Sequence, residues 1–552
     1  MAAAQTDAAW NCKNCIMNTL RLLPSMALSL CCSLALAAPA EHQEFDASLF
    51  APFAAGPAPG RTFTLTFGYP GLAQPGTVDW RVALSAPDGR TVLRWRGQAA
   101  LGEDEVTVAV PWSGRLGARP APAGVYRVRL HAALRGDAHG AIEQDWDIAV
   151  GAPPAPAMPA FAPLPRAMAP GAAPAPDALP YTVYLGNLHS QSNHSDGGAD
   201  VASCKGAQPP LTAPHGPGDA FAYAHQRGLD ILMVSEHNHM FDDSPRSAPS
   251  ADPAAARALY QSGLSTARRF SRRHPDFLAL YGLEWGVIEN GGHINIFNSD
   301  ELLGWETNAA GEPMADTVTP RGDYAGLYAL MRSRGWVGQF NHPAHAGQFK
   351  VHGVPLAYTA DGGAAMVLCE VMNSTAFSTS TSETETRRSR FEGACNRLLE
   401  AGYRLAFSSN QDNHCANWGA AYTNRTGVLL PQGAPLSRAS FVRALKARRV
   451  FATMDKDSQL VLTANGRMMG ERFSNRGPLT LVANFASLGG RRAASVAIMA
   501  GVPFRNGTVT RMADTATTTF TPSPGAHFYY AKVTQDDGNV LWSAPVWVMQ
   551  EP

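Results

Sequence analysis

The sequence predicts an α/β protein in which a domain of parallel strands and helical crossovers, either a barrel or a doubly wound sheet, is flanked on each side by a small β-sandwich. Three observations predict it. From about residue 180 to 452, short β-rich runs alternate with helical ones, the pattern of βα units. Before and after that stretch, short alternating segments are separated by Gly, Pro and Asp-Gly turns, the pattern of antiparallel sandwiches. A Pro- and Ala-rich stretch divides the first pattern from the second.

Residues 1–40 read as a signal peptide. From Met17, the run MNTLRLLPSMALSLCCSLALAAPA has a basic residue at Arg21, then a short apolar stretch, then small residues at Ala35, Ala37, Ala38 and Ala40. The first sixteen residues do not resemble a signal n-region, which makes Met17 an alternative start. The apolar run is shorter than the roughly 18–20 residues of a spanning helix. A mature chain beginning near Ala38 or Glu41, periplasmic or secreted and without stable membrane insertion, is therefore expected. Of eight cysteines, Cys204, Cys369, Cys395 and Cys415 remain in that chain, and in an exported protein they permit two disulfides.

Residues 41–150 contain RTFTLTF, EVTVAVPW and GVYRVRLHAAL, which predict the first β-sandwich. Residues 151–179 predict a stiff extended linker, because a Pro/Ala-rich stretch cannot bury a core. Residues 180–452 are the βα region, with strand-like TVYLGNL, LDILMVS, FLALYGLEW, WVGQFNH, AMVLCEVMN and YRLAFSSN between helix-like segments. Residues 453–552 return to alternation and predict a second sandwich, with hairpin turns at Asn465-Gly466 and Asp537-Gly538. Lys plus Arg and Asp plus Glu number 45 each. So balanced a chain has no global field with which to gather nucleic acid.

Twelve of the sixteen histidines fall between His189 and His414, and polar residues stand where predicted strands end. His189 follows VYLGNL, Glu236 and His237 follow LDILMVS, Glu284 follows LALYGL, His342 follows WVGQF, and Asp412 and His414 follow YRLAFSSN. In a parallel β/α arrangement the carboxyl ends of the strands share one rim, so such residues converge there. Imidazole and carboxylate donors suit zinc, manganese or iron. Glu236 reads as a group that orients a ligand or caps a helix. Arg425, in AAYTNRTGVLLP, has the guanidinium fork that could meet an anionic substrate oxygen, with a surface salt bridge as the alternative.

In these segments the chain resembles the polymerase and histidinol phosphatase (PHP) family of metallohydrolases, and within it the carbaryl hydrolase-like branch. The matching pieces are GNLHSQSNHSDGG at 186–198, GLDILMVSEHNH at 228–239, GLEWGVIENGGHINIF at 282–297, FNHP at 340–343 and SSNQDNHCANWG at 408–419. The resemblance implies a distorted seven-stranded β/α barrel holding two or three divalent metal ions, Zn, Mn or Fe. It implies that His189, Glu284 and Asp412 hold one ion, that Glu284 bridges to a second held also by His293 and His342, and that Asp196, His237 and His414 hold a third. Where the family has a second His in its first motif, this chain has Gln191, a weaker donor, which leaves a two-ion site as an alternative. Cys204 and Cys415 each follow one of these motifs closely, so convergence of the motifs on one rim implies a disulfide between them.

The expected function is an exported metal-dependent hydrolase acting on a small-molecule ester: a phosphoesterase that uses a metal-bridging hydroxide, with Glu284 and Arg425 at the reacting centre. The alternatives are a carbamate or carboxylic ester hydrolase with the same metal site, and a non-catalytic metal-binding or adhesion protein. A basic, Arg-rich rim would favour phosphate, and an aromatic pocket an aryl ester.

Overall fold

The computed structural model describes residues 45–552 except 55–59, 70–71, 73, 138–139, 167–178, 245–247, 288–290 and 345–346. The expected signal peptide lies outside the described residues. Among the described residues no helix is long and apolar enough to cross a membrane.

In the strand Arg61–Gly68 alternate residues, Arg61, Phe63, Leu65 and Phe67, are buried, the two-residue period of a strand with one face on a core. It pairs with Asp46–Phe50 and Val106–Trp112 in a three-stranded sheet, and Thr91–Leu101, Gly76–Ser85, Gly124–Leu134 and Ile142–Val150 form a four-stranded one. Phe63, Leu65, Val82, Tyr126, Val128 and Ile148 from both sheets share a core. After these strands, the described part of the expected linker has one buried anchor. Leu164 is buried, its N–H donating to Gln459 Oε1 at 2.9 Å and its C=O accepting from Gln459 Nε2 at 3.0 Å.

Strands Tyr181–Asn187, Ile231–His237 and Leu278–Trp285 run parallel, and so do Gly338–Phe340, Met366–Ser374 and Ala406–Asn410. Helices α1 (Pro217–Gln226) and α2 (Pro253–Arg273) connect the first three strands. Each strand of the second run follows a helix, respectively α3 (Tyr324–Arg334), α4 (Ala360–Ala365) and α5 (Glu392–Ala401). The sequence of α2 explains its position. Asp252 caps it by accepting the Ala254 N–H, Pro253 opens it, and Ala256, Tyr260, Gly263, Leu264 and Ala267 form one buried face. Gly263 lets that face close on Tyr281, where an added Cβ would lie 2.2 Å from the ring.

The distorted seven-stranded β/α barrel is not what forms. Strand Ile294–Ile296 joins the two parallel runs by lying antiparallel to both Leu278–Trp285 and Gly338–Phe340. At the other end, Tyr181–Asn187 pairs antiparallel with Arg425–Pro431. The ladder then continues through Val450–Thr453, Val540–Ser543, Gly525–Gln535 and Ala493–Gly501, so sixteen strands make one mixed sheet. Only six α-helices occur among the described residues, the last being α6 (Arg438–Lys446). The physical reason lies in the connections. A parallel pair needs a long crossover whereas a short connection suffices for an antiparallel one, and the antiparallel partners Leu278–Trp285 and Ile294–Ile296 are consecutive strands with only a short span of sequence between them. The apolar run that marks a strand does not disclose which way its neighbour points.

The C-terminal region follows from the same sheet. A four-stranded layer of Ser458–Ala464, Arg467–Met468, Leu479–Ser487 and Thr517–Phe520 shares its core, including Leu460, Leu481, Val496, Val533 and Val546, with the far arm of the large sheet. Asn465 and Gly466, at φ 48° and 77°, make the two-residue turn between its first two strands.

Candidate metal centre

Strand ends build the site. His189 follows Tyr181–Asn187, His237 ends its strand, Glu284 is next to last in its own, and His293 immediately precedes the return strand Ile294–Ile296. His342 follows Gly338–Phe340, and Asp412 and His414 follow Ala406–Asn410. Bonds between loops fix the approach. The Gln191 N–H donates to Asn413 O at 2.9 Å, Trp418 Nε1 donates to Gln191 O at 2.8 Å, and Leu188 N–H donates to Asn410 Oδ1 at 2.9 Å. Gly198, at φ 79°, passes so close that a Cβ would sit 2.2 Å from His215 O.

Glu284 is the hub and is fully buried. Its Oε2 lies 2.9 Å from His189 Nε2 and 3.8 Å from His237 Nδ1, and its Oε1 lies 3.0 Å from His293 Nδ1 and 3.3 Å from His342 Nε2. His189 Nε2 is also 3.0 Å from Asp412 Oδ1. Asp196 Oδ1 lies 3.3 Å from His414 Nε2 and 3.6 Å from His237 Nε2. Gln191 reaches the cluster as a hydrogen-bond donor, its amide N–H on Glu284 Oε2, while its Oε1 accepts from Ser195 Oγ at 3.3 Å.

The candidate His, Asp and Glu ligands thus meet, with Asp196, His237 and His414 together as expected and the other two groups composed differently. Donor atoms within 4.8 Å of one another belong to His189, His342 and Asp412, to His237, Glu284 and His293, and to Asp196, His237 and His414. His342 sides with His189, and His237 serves two groups. The donor set fits divalent cations: imidazoles and carboxylates, enclosed by protein, at spacings near those of a coordination shell.

The electrostatics carry the same signature. Burial alone would raise the Glu284 carboxyl, yet His189, His293 and His237 hold it well below its usual range. Burial would likewise raise Asp412, and His189 drives it down instead. His414, which burial alone would lower, is raised to about 9 by Asp196. Two of the candidate ligands also sit in the left-handed backbone region without being glycine, His342 at φ 23° and Asp412 at φ 52°. Such strain costs about 1–3 kcal/mol per residue and collects at functional sites.

His342 and Asp412 form the face of the cluster that reaches a cleft of about 550 Å³. The first β-sandwich supplies part of its wall through Phe45, Asp46 and Tyr69, and Phe377 and Arg387 also line it. Among the described residues the lining carries Asp46, Glu103, Asp104, Glu105 and Asp412 against Lys205 and Arg387, so it is acidic and aromatic rather than Arg-rich.

Arg425 is not brought to this cluster. It is buried, its guanidinium 2.7 Å from Glu383 Oε1 and donating to the carbonyls of Tyr422 and Asn424. Its role is structural, and the ion pair is internal rather than on the surface. Glu236 accepts from the Ser192 and Ser195 hydroxyls and the Ser192 N–H, which orders the loop carrying Gln191 and Asp196. Burial pushes its carboxyl up to about 7. His194 shares a 2.8 Å hydrogen bond with Tyr281.

Sequence reasoning missed two residues. Glu370 Oε1 lies 3.3 Å from His189 Nδ1, and its Oε2 accepts the His342 N–H at 2.8 Å. Asn341 donates to Glu284 Oε1 at 2.8 Å. The signal for Glu370 was present, since a carboxylate in the middle of MVLCEVMNS, a strand buried along its length, is costly without partners.

The thiols pair as Cys204–Cys415 and Cys369–Cys395, with Cα atoms 5.7 and 5.8 Å apart. The expected bond between Cys204 and Cys415 is therefore present, beside Asp412 and His414.

No family model matches the chain, and no curated protein matches it. Among solved structures, a CARDB domain from Pyrococcus furiosus is similar over 21% of this chain and 97% of its own length, at 14% identity and a TM-score of 0.15. The alpha-2-macroglobulin of E. coli is similar over 30% of this chain and 8% of its own, at 14% identity and a TM-score of 0.15. A Bacteroides uniformis beta-glucuronidase is similar over 92% and 61%, at 11% identity and a TM-score of 0.14. At such scores the likenesses carry no argument about fold or activity.

Proposed function

We propose that the chain is an exported metal-dependent hydrolase that opens an ester bond at the cluster centred on Glu284. The observation that carries this is the enclosure of Glu284 by four imidazoles at 2.9–3.8 Å, in a cluster whose His342 and Asp412 line a cleft. The order of motifs resembling the PHP metallohydrolases supports the same reading, although the sheet departs from that family's barrel. The two disulfides support an oxidising destination.

Divalent ions held there would supply Lewis-acid polarisation of an ester oxygen. His189, Asp412 and His342 would hold one ion and His237, Glu284 and His293 another, with Asp196, His237 and His414 available to a third. Glu284, anionic and central, lets cations lie close together. His342 and Asp412 face the cleft and so border the reacting bond, while the first sandwich narrows the entrance and limits water.

The acidic, aromatic lining favours a neutral carboxylic or carbamate ester over a dianionic phosphate ester, because carboxylates facing the cleft repel a second negative group. The test is a panel of aryl esters, aryl carbamates and phosphate esters, run on protein stripped by chelator and on protein reloaded with zinc or manganese, beside Glu284→Gln. Activity that vanishes on chelation, returns with metal and is lost in Glu284→Gln is expected, with the neutral esters turned over fastest. A stripped wild type that remains fully active would overturn the reading.

A further inference from the structure

We propose that His225, His274 and Asp276 form a second, separate site for one transition-metal ion of the zinc type, at the opposite ends of the strands from Glu284. The proposal does not depend on the hydrolase reading. His225 lies in the last turn of α1, His274 caps the end of α2, and Asp276 stands in the turn leading to the strand Leu278–Trp285.

His225 Nε2 is 2.9 Å from Asp276 Oδ2, the two imidazole centroids are 4.8 Å apart, and one donor atom from each residue lies within 4.8 Å of the others. Ligand bonds of about 2.0–2.1 Å in a tetrahedron set donors roughly 3.3 Å apart. An ion replacing the proton between His225 and Asp276 needs little more than a rotation of His274 to complete three protein ligands, and solvent supplies the fourth. Two imidazoles and a carboxylate are a zinc, nickel or copper donor set.

Aromatic packing already orients the rings. His274 stacks on Phe270 with centroids 4.4 Å apart, and His225 rests against Phe270 and Phe277. Two helix C-termini converge there, and their partial negative charge favours a cation. Arg227 is drawn aside over the Tyr223 ring, at 5.0 Å. His225 and Asp276 are partly open to solvent, so an ion can enter. The site and Glu284 are separated by most of one strand, roughly 20 Å at about 3.3 Å per residue. An ion here would tie α1 to the turn after α2.

The experiment uses the full chain, stripped of metal and dialysed against zinc, with bound zinc counted by elemental analysis and Tm measured with and without zinc. His274→Phe keeps the stack on Phe270 while removing a donor, and Asp276→Asn removes the charge. Both are expected to bind one zinc ion fewer than the wild type and to lose part of the zinc-dependent rise in Tm, with metal-free Tm and ester hydrolysis unchanged. Glu284→Gln is expected to keep this ion. If both peripheral variants bind as many ions as the wild type, the site does not exist. A failure confined to Glu284→Gln would instead count against the hydrolase centre.

Discussion

Lys532 Nζ lies 2.8 Å from Glu392 Oε2, and both residues are buried. Lys532 belongs to the strand Gly525–Gln535 and Glu392 opens α5, while Asp147 of the first β-sandwich stands 4.0 Å from the same ammonium and accepts from Thr534 Oγ1 at 2.8 Å. Tyr530 Oη also donates to Glu392 Oε1 at 2.8 Å, and Arg390 lies 3.2 Å from Asp145. Three regions of the chain therefore meet on one enclosed set of charges.

Removing one partner of a buried pair leaves an uncompensated charge, at a cost of about 3–5 kcal/mol. Lys532→Met should accordingly lower stability at neutral pH by that order. The pH dependence has a definite direction. Burial pushes the Asp147 carboxyl up, but Lys532, Arg127 and Arg390 outweigh it and hold it at about 2. A depressed carboxyl contributes stability above its unfolded value near 4 and loses it as the pH falls towards 2, here about 2–3 kcal/mol. Wild-type Tm should drop over that window and the variant should drop less. Parallel acid-unfolding curves for the two proteins would show that the network is not coupled in this way.

The Cys204–Cys415 bond closes a separation of 211 residues and anchors the loop after Gly198 beside His414. Closing so long a loop is worth roughly 2–5 kcal/mol. Cys204→Ala with Cys415→Ala should lower the denaturation midpoint accordingly and loosen zinc retention at the Asp196, His237 and His414 group. Unchanged zinc retention in the double variant would mean that the loop is held by its hydrogen bonds alone.

The gathering of polar residues was legible in the sequence because it is local: a His or Glu at the end of an apolar run marks a strand's end whatever the sheet does next. The sheet itself was not legible. Ile294–Ile296 reads as apolar in either direction, and only its partners make it antiparallel. Arg425 misled because a guanidinium in sequence carries no address, and Glu383, its partner, lies 42 positions away. Glu370 went unread because it lies inside an apolar strand and not at its end.

Glu370 contacts His189 at Nδ1, on the side of the ring away from Glu284. A carboxylate there fixes the tautomer and turns Nε2 towards the cluster, and loss of such a partner typically weakens metal binding 10–100-fold. Glu370→Gln should shift chelator competition by that factor while restoring normal turnover at saturating metal. A fall in turnover that excess metal does not reverse would give Glu370 a direct part in the chemistry.

Gln191 separates two explanations of the same position. Its amide N–H holds Glu284 Oε2 and its carbonyl meets Ser195, so its contribution is a donor that steadies the central carboxylate, more than a ligand oxygen. Gln191→Leu keeps much of the volume and removes the donor, leaving one Glu284 contact unmade in a fully buried place, at about 1–3 kcal/mol. It should weaken metal binding and raise the metal concentration needed for half-maximal hydrolysis. Gln191→His restores a ring N–H or a metal-ligating nitrogen, according to tautomer, and should retain activity and bind metal at least as tightly as the wild type, since imidazole is the stronger ligand. Zinc content after graded chelation, read for the three proteins together, decides the matter. If Gln191→Leu holds metal as the wild type does, the contact with Glu284 has no part in assembling the centre.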